Sequence, residues 1–222
     1  GKKGFFSDKT DFTRITKPSW NYVGFGTKLL DLNFDGWLDI FVVNGHVAAH
    51  INNVHKDHKH KQPKQIFINN KNGTFREIYM ENIGDAKNPS VGRGASFGDI
   101  DNDGDIDVVV SNNNGPANLL VRKGTPEKKW IGLFLVGIRS NKDAIGSRVQ
   151  IETEGVKQVQ VVNTSGSYLA SNDKRLLFGL NDFSEVDKIT INWPSGIKEV
   201  LFGLKSNHYY KIIEGKGSSL LY

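Results

Sequence analysis

The sequence has no cysteine, one methionine and six prolines in 222 residues. Without cysteine, the chain can form neither a disulfide framework nor a cysteine-ligated zinc site nor a thiol-based redox centre. No apolar run approaches the ~18 residues of a membrane-spanning helix, and no signal-peptide core follows the first residues. We therefore expect no membrane span. Because the first residue is Gly1 and not methionine, we expect the natural polypeptide to begin further upstream.

The net charge of +5 would by itself allow nucleic-acid binding. However, lysine and arginine are spread along the chain, and they are not interleaved with the stacking aromatic residues of an RNA-binding sheet. We expect no nucleic-acid partner.

Glycine and aromatic residues are plentiful, with 24 glycines and 10% aromatics. Uninterrupted helical periodicity is hard to find, whereas short apolar runs between turn residues are frequent. This composition predicts an all-β protein with many turns.

The most acidic stretch runs from Asp99 to Asp107 and carries five carboxylates in nine residues. Its acids occupy positions 1, 3, 5, 7 and 9, with Gly104 at position 6, which is the pattern of a loop that wraps oxygen atoms around one hard cation. Position 6 needs glycine because the chain turns sharply there, and position 7 contributes its backbone carbonyl. An EF-hand would have a glutamate at position 12, but Val110 stands there. The closing carboxylate is therefore Asp107, and we expect the loop to join two strands.

The same pattern occurs earlier in the chain. Residues 23–44 align without a gap on residues 91–112, so that each residue of the second stretch lies 68 positions after its counterpart, as Asp99 does after Asp31. In the first copy Asn33 replaces the carboxylate of position 3, and Trp37 occupies the carbonyl position. Two gap-free copies favour two calcium loops over self-capping acidic turns. Magnesium fits less well, since it prefers a tight octahedron that keeps several waters.

Each copy continues into further strand-like segments. Residues 65–78 predict a hairpin with a turn at 69–73, and residues 117–121 predict one more strand after the second loop. Residues 4–8 resemble residues 73–77, as if the chain opened on the last strand of a preceding unit. Four short strands per repeat are typical of β-propeller blades. Because a closed ring needs ~4–8 blades, we expect either that further blades are missing from this chain or that the partial propeller leans on a second domain.

The segment from His46 to His60 holds five of the six histidines, and lysines lie among and after them. A tract of this kind can bind a transition metal, but a solvated loop between strands is the favoured interpretation. His46 follows a predicted strand, and we expect it to make a structural hydrogen bond near the first acidic loop.

The repeat ends before Trp130. Strand-like runs cover residues 130–136, 147–152, 157–162, 188–193 and 208–213, and several of them alternate apolar and polar residues. They predict a small antiparallel β-sandwich-like domain. Arg148 and Trp193 are expected to pack within it, and 165–168 to form a turn.

These residues carry a family resemblance. The units with G-x-G before D-x-[DN]-x-D-G-x-x-D resemble FG-GAP (VCBS-type) propeller repeats. The C-terminal segment resembles the ASPIC/UnbV domain through Trp130 and the motifs at 141–149, 165–169, 177–180 and 193–196. The order of the two patterns is similar to that of the cartilage acidic protein-like family. The resulting division is propeller blades over 1–123, a linker over 124–129, an ASPIC/UnbV domain over 130–215 and a C-terminal tail over 216–222.

The resemblance implies a secreted or cell-surface protein that binds two calcium ions and has no settled catalytic activity. The implied ligands of the first site are Asp31, Asn33, Asp35, the Trp37 carbonyl and Asp39, and those of the second are Asp99, Asp101, Asp103, the Asp105 carbonyl and Asp107. Because the second site has four carboxylates and the first has three, the second should bind more tightly.

Two classes of function stay open on the sequence. The favoured class is a non-enzymatic module in which calcium stiffens the blades that present loops to a protein or glycan. The alternative is an accessory protein or enzyme of a biosynthetic pathway, which the enediyne-cluster branch of the family implies. We expect no enzyme, since acids arranged around a metal lack the apolar setting that keeps a general acid protonated.

Overall fold

The computed structural model of the protein describes residues 4–78, 88–122 and 128–221. Three one-turn helices are α1 (Thr10–Thr13), α2 (Thr16–Ser19) and α3 (Ile51–Val54). None of the helices in these ranges is long and apolar enough to cross a membrane. The strands are β1 (Gly24–Leu30), β2 (Asp39–Asn44), β3 (Gln65–Asn69), β4 (Phe75–Ile78), β5 (Gly92–Gly98), β6 (Asp107–Asn112), β7 (Asn118–Leu120), β8 (Trp130–Val136), β9 (Arg148–Thr153), β10 (Val156–Val161), β11 (Leu176–Gly179), β12 (Glu185–Asn192), β13 (Lys198–Lys205), β14 (His208–Ile213) and β15 (Gly217–Leu220). The predicted all-β class is confirmed.

The first blade is a four-stranded antiparallel sheet in the order β1-β2-β3-β4. The predicted hairpin joins β3 to β4, and its turn places Lys71 and Gly73 at positive φ. The second blade has the order β5-β6-β7 and three strands among the described residues.

The internal repeat extends to the details of strand pairing. Gly24 pairs with Asn44 and Leu30 with Asp39, just as Gly92 pairs with Asn112 and Gly98 with Asp107. Both inner strands also carry a register shift at the same place, after the first glycine. The two copies therefore share one backbone plan, as the gap-free alignment predicts.

The two blades pack face to face around one apolar cluster. It consists of Leu30, Leu32, Phe41, Val43, Ile66, Ile68, Ala95, Phe97, Val108, Val110 and Leu120. The glycines of the G-x-G motifs allow the close approach, because a Cβ on Gly26 would lie 2.7 Å from the backbone nitrogen of Ala95.

The C-terminal domain consists of two sheets, ordered β10-β9-β12-β13 and β11-β8-β14-β15. Their inner faces enclose a second apolar cluster that includes Ile131, Val149, Phe178, Ile189 and Trp193. The structure differs from the predicted antiparallel sandwich in the pairing of one strand, because β14 pairs with β8 in parallel. Strands β11, β13 and β15 were not predicted, and β15 lies within residues 216–222, predicted as a tail, and pairs with β14.

One buried carboxylate organises a corner of this domain. Glu214 accepts hydrogen bonds from the backbone N–H groups of residues 138–140 and from the hydroxyls of Ser140 and Ser195. Burial raises the pKa of Glu214, but these hydrogen bonds outweigh it and lower the pKa to about 2. The carboxylate thus stays ionised and closes the turn after β8.

Three other predictions concern single segments. Residues 4–8 form no strand, and Phe6 is fully exposed. Arg148 is exposed and does not pack in the core, whereas Trp193 is buried as expected.

Of the predicted linker 124–129, residues 124–127 lie outside the described residues, while Lys129 exchanges backbone hydrogen bonds with residues 180 and 181. The domain limits stay a prediction.

Candidate metal centre

Two acidic loops lie at corresponding places in the blades. The first acidic loop (Asp31–Asp39) joins β1 to β2, and the second acidic loop (Asp99–Asp107) joins β5 to β6. Each loop starts directly after an inner strand and ends on the first residue of the next strand. The predicted strand-to-strand position is therefore what the structure has.

Two positions in each loop have left-handed backbone. Gly36 and Gly104 at position 6 have φ of 81° and 95°, which glycine adopts without steric cost. Position 4 is also left-handed, with φ of 57° at Phe34 and 62° at Asn102. Asparagine tolerates this conformation, whereas phenylalanine does so only at a cost.

Three carboxylates of the second acidic loop converge. One oxygen each of Asp99, Asp101 and Asp107 lies within 4.8 Å of the other two. Asp99 is 2% exposed and Asp107 is 1% exposed, while Asp101 faces solvent. The Oδ1 atom of Asp99 is buried and has no hydrogen-bond partner. A buried acceptor of this kind next to two further carboxylates fits a cation, since leaving it unpaired is costly.

Backbone amides hold these carboxylates in place. Asp99 Oδ2 accepts from Gly104 N–H at 2.8 Å, and Asp107 Oδ2 accepts from Ile100 N–H at 2.9 Å. Asp103 Oδ1 accepts from the N–H of Asp105 at 2.9 Å. Asp103 is not a member of the convergent group of three.

Burial raises the pKa of Asp99 and of Asp107 above the ordinary value, and their hydrogen bonds only partly offset it. Burial likewise raises the pKa of Asp105 to about 6, although the nearby Arg122 lowers it. The loop therefore concentrates more negative charge than its surroundings stabilise, which a bound cation would relieve.

The side chain of Asp105 points away from the convergent group, as position 7 predicts, and the ligand role of its carbonyl stays a prediction. Its side chain is fully buried, lies outside the convergent group and faces Arg122, with Oδ1 at 3.4 Å from Nη1. The same guanidinium donates to the carbonyl of Leu32 in the first acidic loop. Arg122 thus ties the two loops together, and no sequence pattern had pointed to it.

The first acidic loop is also closed by its own carboxylates. Asp31 accepts from the N–H groups of Asp35 at 3.0 Å and Gly36 at 2.8 Å. Asp39 accepts from Leu32 N–H at 3.0 Å and from Asn69 N–H at 2.8 Å. Burial raises the pKa of Asp31 to about 7.

The ligands predicted for the first acidic loop are less well gathered. Within the described residues, its carboxylates do not form a group of three within 4.8 Å. Asn33 donates its amide to Asp35 Oδ2 at 3.1 Å, and the ammonium of Lys71 lies 3.1 Å from the same oxygen. The side chain of Trp37 is half-exposed, and the ligand role of its carbonyl stays a prediction. The structure therefore brings together three of the predicted ligands of the second loop, Asp99, Asp101 and Asp107, but forms no such group in the first.

The C-terminal domain covers the second acidic loop. The hydroxyl of Tyr209 donates to Asp99 Oδ2 at 2.7 Å. The guanidinium of Arg175 donates to the carbonyl of Asp99 and, at 2.6 Å, to Oδ1 of Asn102. The Trp130 ring lies against Gly104, where a Cβ would come within 3.0 Å of three ring atoms. The loop is thus an interface between domains.

The first acidic loop is covered by the end of β11. The Asn181 N–H donates to the Phe34 carbonyl at 2.9 Å, and its side-chain amide donates to the Asp35 carbonyl at 3.2 Å. A Cβ on Gly179 would come within 3.0 Å of Asp31 Oδ2 and of the Phe34 backbone. Phe34, Trp130 and Tyr209 form a small buried cluster between the loops, which explains how Phe34 keeps its left-handed backbone.

Sequence reasoning missed most of these contacts. Trp130 and Gly179 stood in motifs of the family resemblance, but as features of the C-terminal domain and not of the loops. Tyr209 lay in a predicted strand, and Arg175 had no signal at all. The chain separation between these residues and the loops hides the contact from any local pattern.

The histidine-rich segment forms a ring cluster without a metal geometry. The His58 ring lies 5.5 Å from that of His55 and 6.2 Å from that of His46, between centroids. Over residues 46–60, all of which are described, no three histidine or acidic groups converge within 4.8 Å. His46 Nδ1 accepts from Ala48 N–H at 3.0 Å, a structural hydrogen bond as expected. However, it follows β2, at the opposite end of that strand from the first acidic loop, so its predicted proximity to that loop is wrong.

Comparison with known proteins gives two matches. A family model described as an FG-GAP-like repeat matches residues 31–110. A second model, described as ASPIC and UnbV, matches residues 137–219. No curated protein matches the chain. The first match spans both acidic loops, and the second spans Arg175, Asn181 and Tyr209, which cover them.

Proposed function

We propose that this chain, which joins FG-GAP-like repeats to an ASPIC and UnbV domain, is an extracellular binding module whose two acidic loops hold calcium. One observation carries the proposal: the carboxylates of Asp99, Asp101 and Asp107 converge, and Asp99 has a buried oxygen without a hydrogen-bond partner. When bound, the ion supplies the positive charge that keeps these acids together.

The chemistry of the donors supports calcium. All the side chains in the second acidic loop that converge are carboxylates, which hard cations prefer, and there is neither thiolate nor imidazole among them. The residues that would hold the second ion are Asp99, Asp101, Asp103, the Asp105 carbonyl and Asp107. Those that would hold the first are Asp31, Asn33, Asp35, the Trp37 carbonyl and Asp39. A loop with this many protein oxygens suits calcium better than magnesium.

The proposal gives the ions a structural role and the chain no enzymatic one. The carboxylates of Asp31, Asp39, Asp99 and Asp107 each accept backbone N–H groups that close their loop. Carboxylates that accept backbone N–H groups order the turn, and metal binding to these carboxylates contributes directly to folding stability.

The extracellular location is supported by the repeat type, since FG-GAP repeats are typical of extracellular proteins. We propose that the partner is a protein or a glycan and that calcium stiffens the blades that contact it. The test is to probe arrays of glycans and of extracellular protein domains in calcium and in chelator. Calcium-dependent binding to a defined partner is expected, and binding that is indifferent to calcium, or none, would contradict the interaction role.

The calcium proposal is tested by isothermal titration of calcium chloride into chelator-stripped protein. Wild-type protein is expected to bind two ions, the tighter one at the second acidic loop. Asp101→Ala removes a solvent-facing ligand and should abolish the tighter calcium-binding event. Asp57→Ala removes an equal charge from the exposed histidine-rich segment and should leave both calcium-binding events unchanged. If millimolar calcium neither binds nor raises the melting temperature of wild-type protein, the proposal is wrong.

A further inference from the structure

We propose that the C-terminal domain is part of the second metal site: Tyr209 and Arg175 position Asp99 as a ligand, and metal binding in turn strengthens the docking of this domain on the blades. This inference rests on the proposed binding of calcium. It assigns Tyr209 and Arg175 as positioning residues, which act on the ion through Asp99.

The contact from Tyr209 fixes which oxygen of Asp99 is available. Oδ2 accepts both the Tyr209 hydroxyl at 2.7 Å and the Gly104 N–H at 2.8 Å. Oδ1 is left buried and without a hydrogen-bond partner, and Asp99 contributes one oxygen to the convergent group. Two donors on one oxygen hold the carboxylate plane, as groups hydrogen-bonded to metal ligands commonly do.

Arg175 fixes the backbone that carries this ligand. It donates to the Asp99 carbonyl and to the Asn102 side chain, so it spans the first half of the loop. Its own position is set by Asp173, with Nε and Oδ2 at 2.6 Å, and by the Tyr209 ring, whose centroid lies 4.8 Å from the guanidinium carbon. Tyr209 and Arg175 therefore act as one unit from the C-terminal side.

The two domains also share hydrogen bonds that involve backbone groups beside the loops. The Asp173 N–H donates to the Phe97 carbonyl at 2.9 Å, and the Phe97 N–H donates to Asn172 Oδ1 at 3.1 Å. On the first loop, Asn181 N–H donates to the Phe34 carbonyl at 2.9 Å. Phe97 lies near the end of β5, two residues before Asp99. A disordered second loop would therefore loosen the end of β5, to which the C-terminal domain is hydrogen-bonded.

These contacts make ligand geometry and domain docking mutually dependent. If the C-terminal domain undocked, Asp99 Oδ2 and the loop backbone would lose these hydrogen bonds. If the ion were absent, the buried carboxylates beneath Tyr209 would repel each other and disturb the surface on which the domain docks. Linkage requires that any factor by which docking tightens metal binding equals the factor by which metal binding tightens docking.

The first arm of the test measures calcium affinity in the full chain. Tyr209→Phe removes the hydroxyl on Asp99 but keeps the ring against Trp130, 5.1 Å away between centroids. We expect about tenfold weaker binding of calcium chloride at the tighter site, the low end of the effect of removing such groups. The matched control is Tyr210→Phe, which removes a hydroxyl that accepts from Lys205 N–H within the C-terminal domain and should leave the affinity within about twofold. Equal affinities in Tyr209→Phe and wild type would overturn the inference.

The second arm measures docking by amide hydrogen exchange on unmodified protein. With calcium, the amides of Asp173 and Asn181 should exchange about tenfold more slowly, because metal binding that strengthens docking also slows the opening of the interface, by a factor of the usual size for coupled sites. Asp101→Ala should cancel this protection. The amide of Glu214, bonded to Val136 away from the interface, is the control and should not respond. Calcium that binds without changing exchange at Asp173 and Asn181 would refute the coupling alone. Absence of binding to wild-type protein would instead refute the proposed function.

Discussion

Gly104 allows a direct test of how the second acidic loop meets the C-terminal domain. Its φ is 95°, and a Cβ there would come within 3.0 Å of three atoms of the Trp130 ring. Gly36, at the same position of the first loop, has a φ of 81°, but its nearest neighbour would be the end of a flexible side chain, Gln158 Nε2, at 3.4 Å. The two glycines thus share a backbone conformation and differ in their surroundings.

The expected losses follow from this difference. Alanine in left-handed backbone costs about 1 kcal/mol, so both Gly36→Ala and Gly104→Ala should lose this amount of unfolding free energy. Gly104→Ala should lose about 2 kcal/mol more, because its methyl group collides with a buried indole ring that has to shift. In a chain of this size, the extra loss corresponds to a melting temperature lower by about 4–8 °C.

The assay is thermal and urea denaturation of both variants in chelator, so that metal affinity does not contribute. A Trp130→Leu background completes a double-mutant cycle, in which the penalty of Gly104→Ala should fall towards that of Gly36→Ala. Equal losses for Gly36→Ala and Gly104→Ala in the wild-type background, or an undiminished penalty next to Leu at position 130, would refute the contact between the loop and Trp130.

Three further predictions concern buried side chains. Glu214→Gln should lower the melting temperature at pH 7, and the difference from wild type should shrink as the pH falls from about 5 towards 2; a difference that is constant over this range would contradict the lowered pKa. The sign follows because a folded pKa of about 2, below the ordinary 4.5, contributes stability above pH ~4.5 that is lost as the acid protonates. Arg122→Gln should cost about 3 kcal/mol in urea denaturation, because the buried Asp105 loses its cation, while Arg148→Gln at an exposed site should cost under about 0.5 kcal/mol; equal effects would contradict the ion pair. Phe41→Ala should cost about 3–5 kcal/mol in the same assay, because Phe41 is fully buried between the blades, and a loss below about 1 kcal/mol would contradict that packing.

The sequence predicted the blades because the determinants of their fold are local. Each copy of the 68-residue repeat carries its own glycine pair, acidic loop and alternating apolar residues within a short stretch. In the C-terminal domain, local alternation likewise placed the predicted runs 130–136 and 208–213, which coincide with β8 and β14. Strands β13 and β15 were not predicted because they are largely exposed. In β13, Leu201 and Leu204 pack against the core, but apolar residues at consecutive positions obscure the alternation that would mark its inner face. The parallel pairing of β8 with β14 joins residues far apart in the chain, which no local pattern encodes.

The candidate site divides in the same way. The order of ligands and the glycine turn could be predicted, because a loop around one cation has fixed chemistry at fixed spacing. The left-handed conformation of Phe34 could not, since it depends on burial beneath Trp130 and Tyr209. Nor could the contacts of Arg175 and Tyr209, because the family motifs mark the C-terminal domain without saying which surface it covers.

The two loops differ in how far each depends on an ion. In the first, Lys71 already places a positive charge 3.1 Å from Asp35, and the Asn33 amide donates to the same carboxylate. In the second, Arg122 faces the Asp105 side chain outside the convergent group and Arg175 donates to the Asp99 backbone carbonyl, while Asp99 keeps a buried oxygen without a hydrogen bond. We therefore expect a bound ion to stabilise the second loop more than the first, because three carboxylates converge there and because the buried Asp99 oxygen has no hydrogen-bond partner among the described residues. Since Tyr209 and Arg175 contact this same loop, the loop that we expect an ion to stabilise more is also held by side chains of the C-terminal domain.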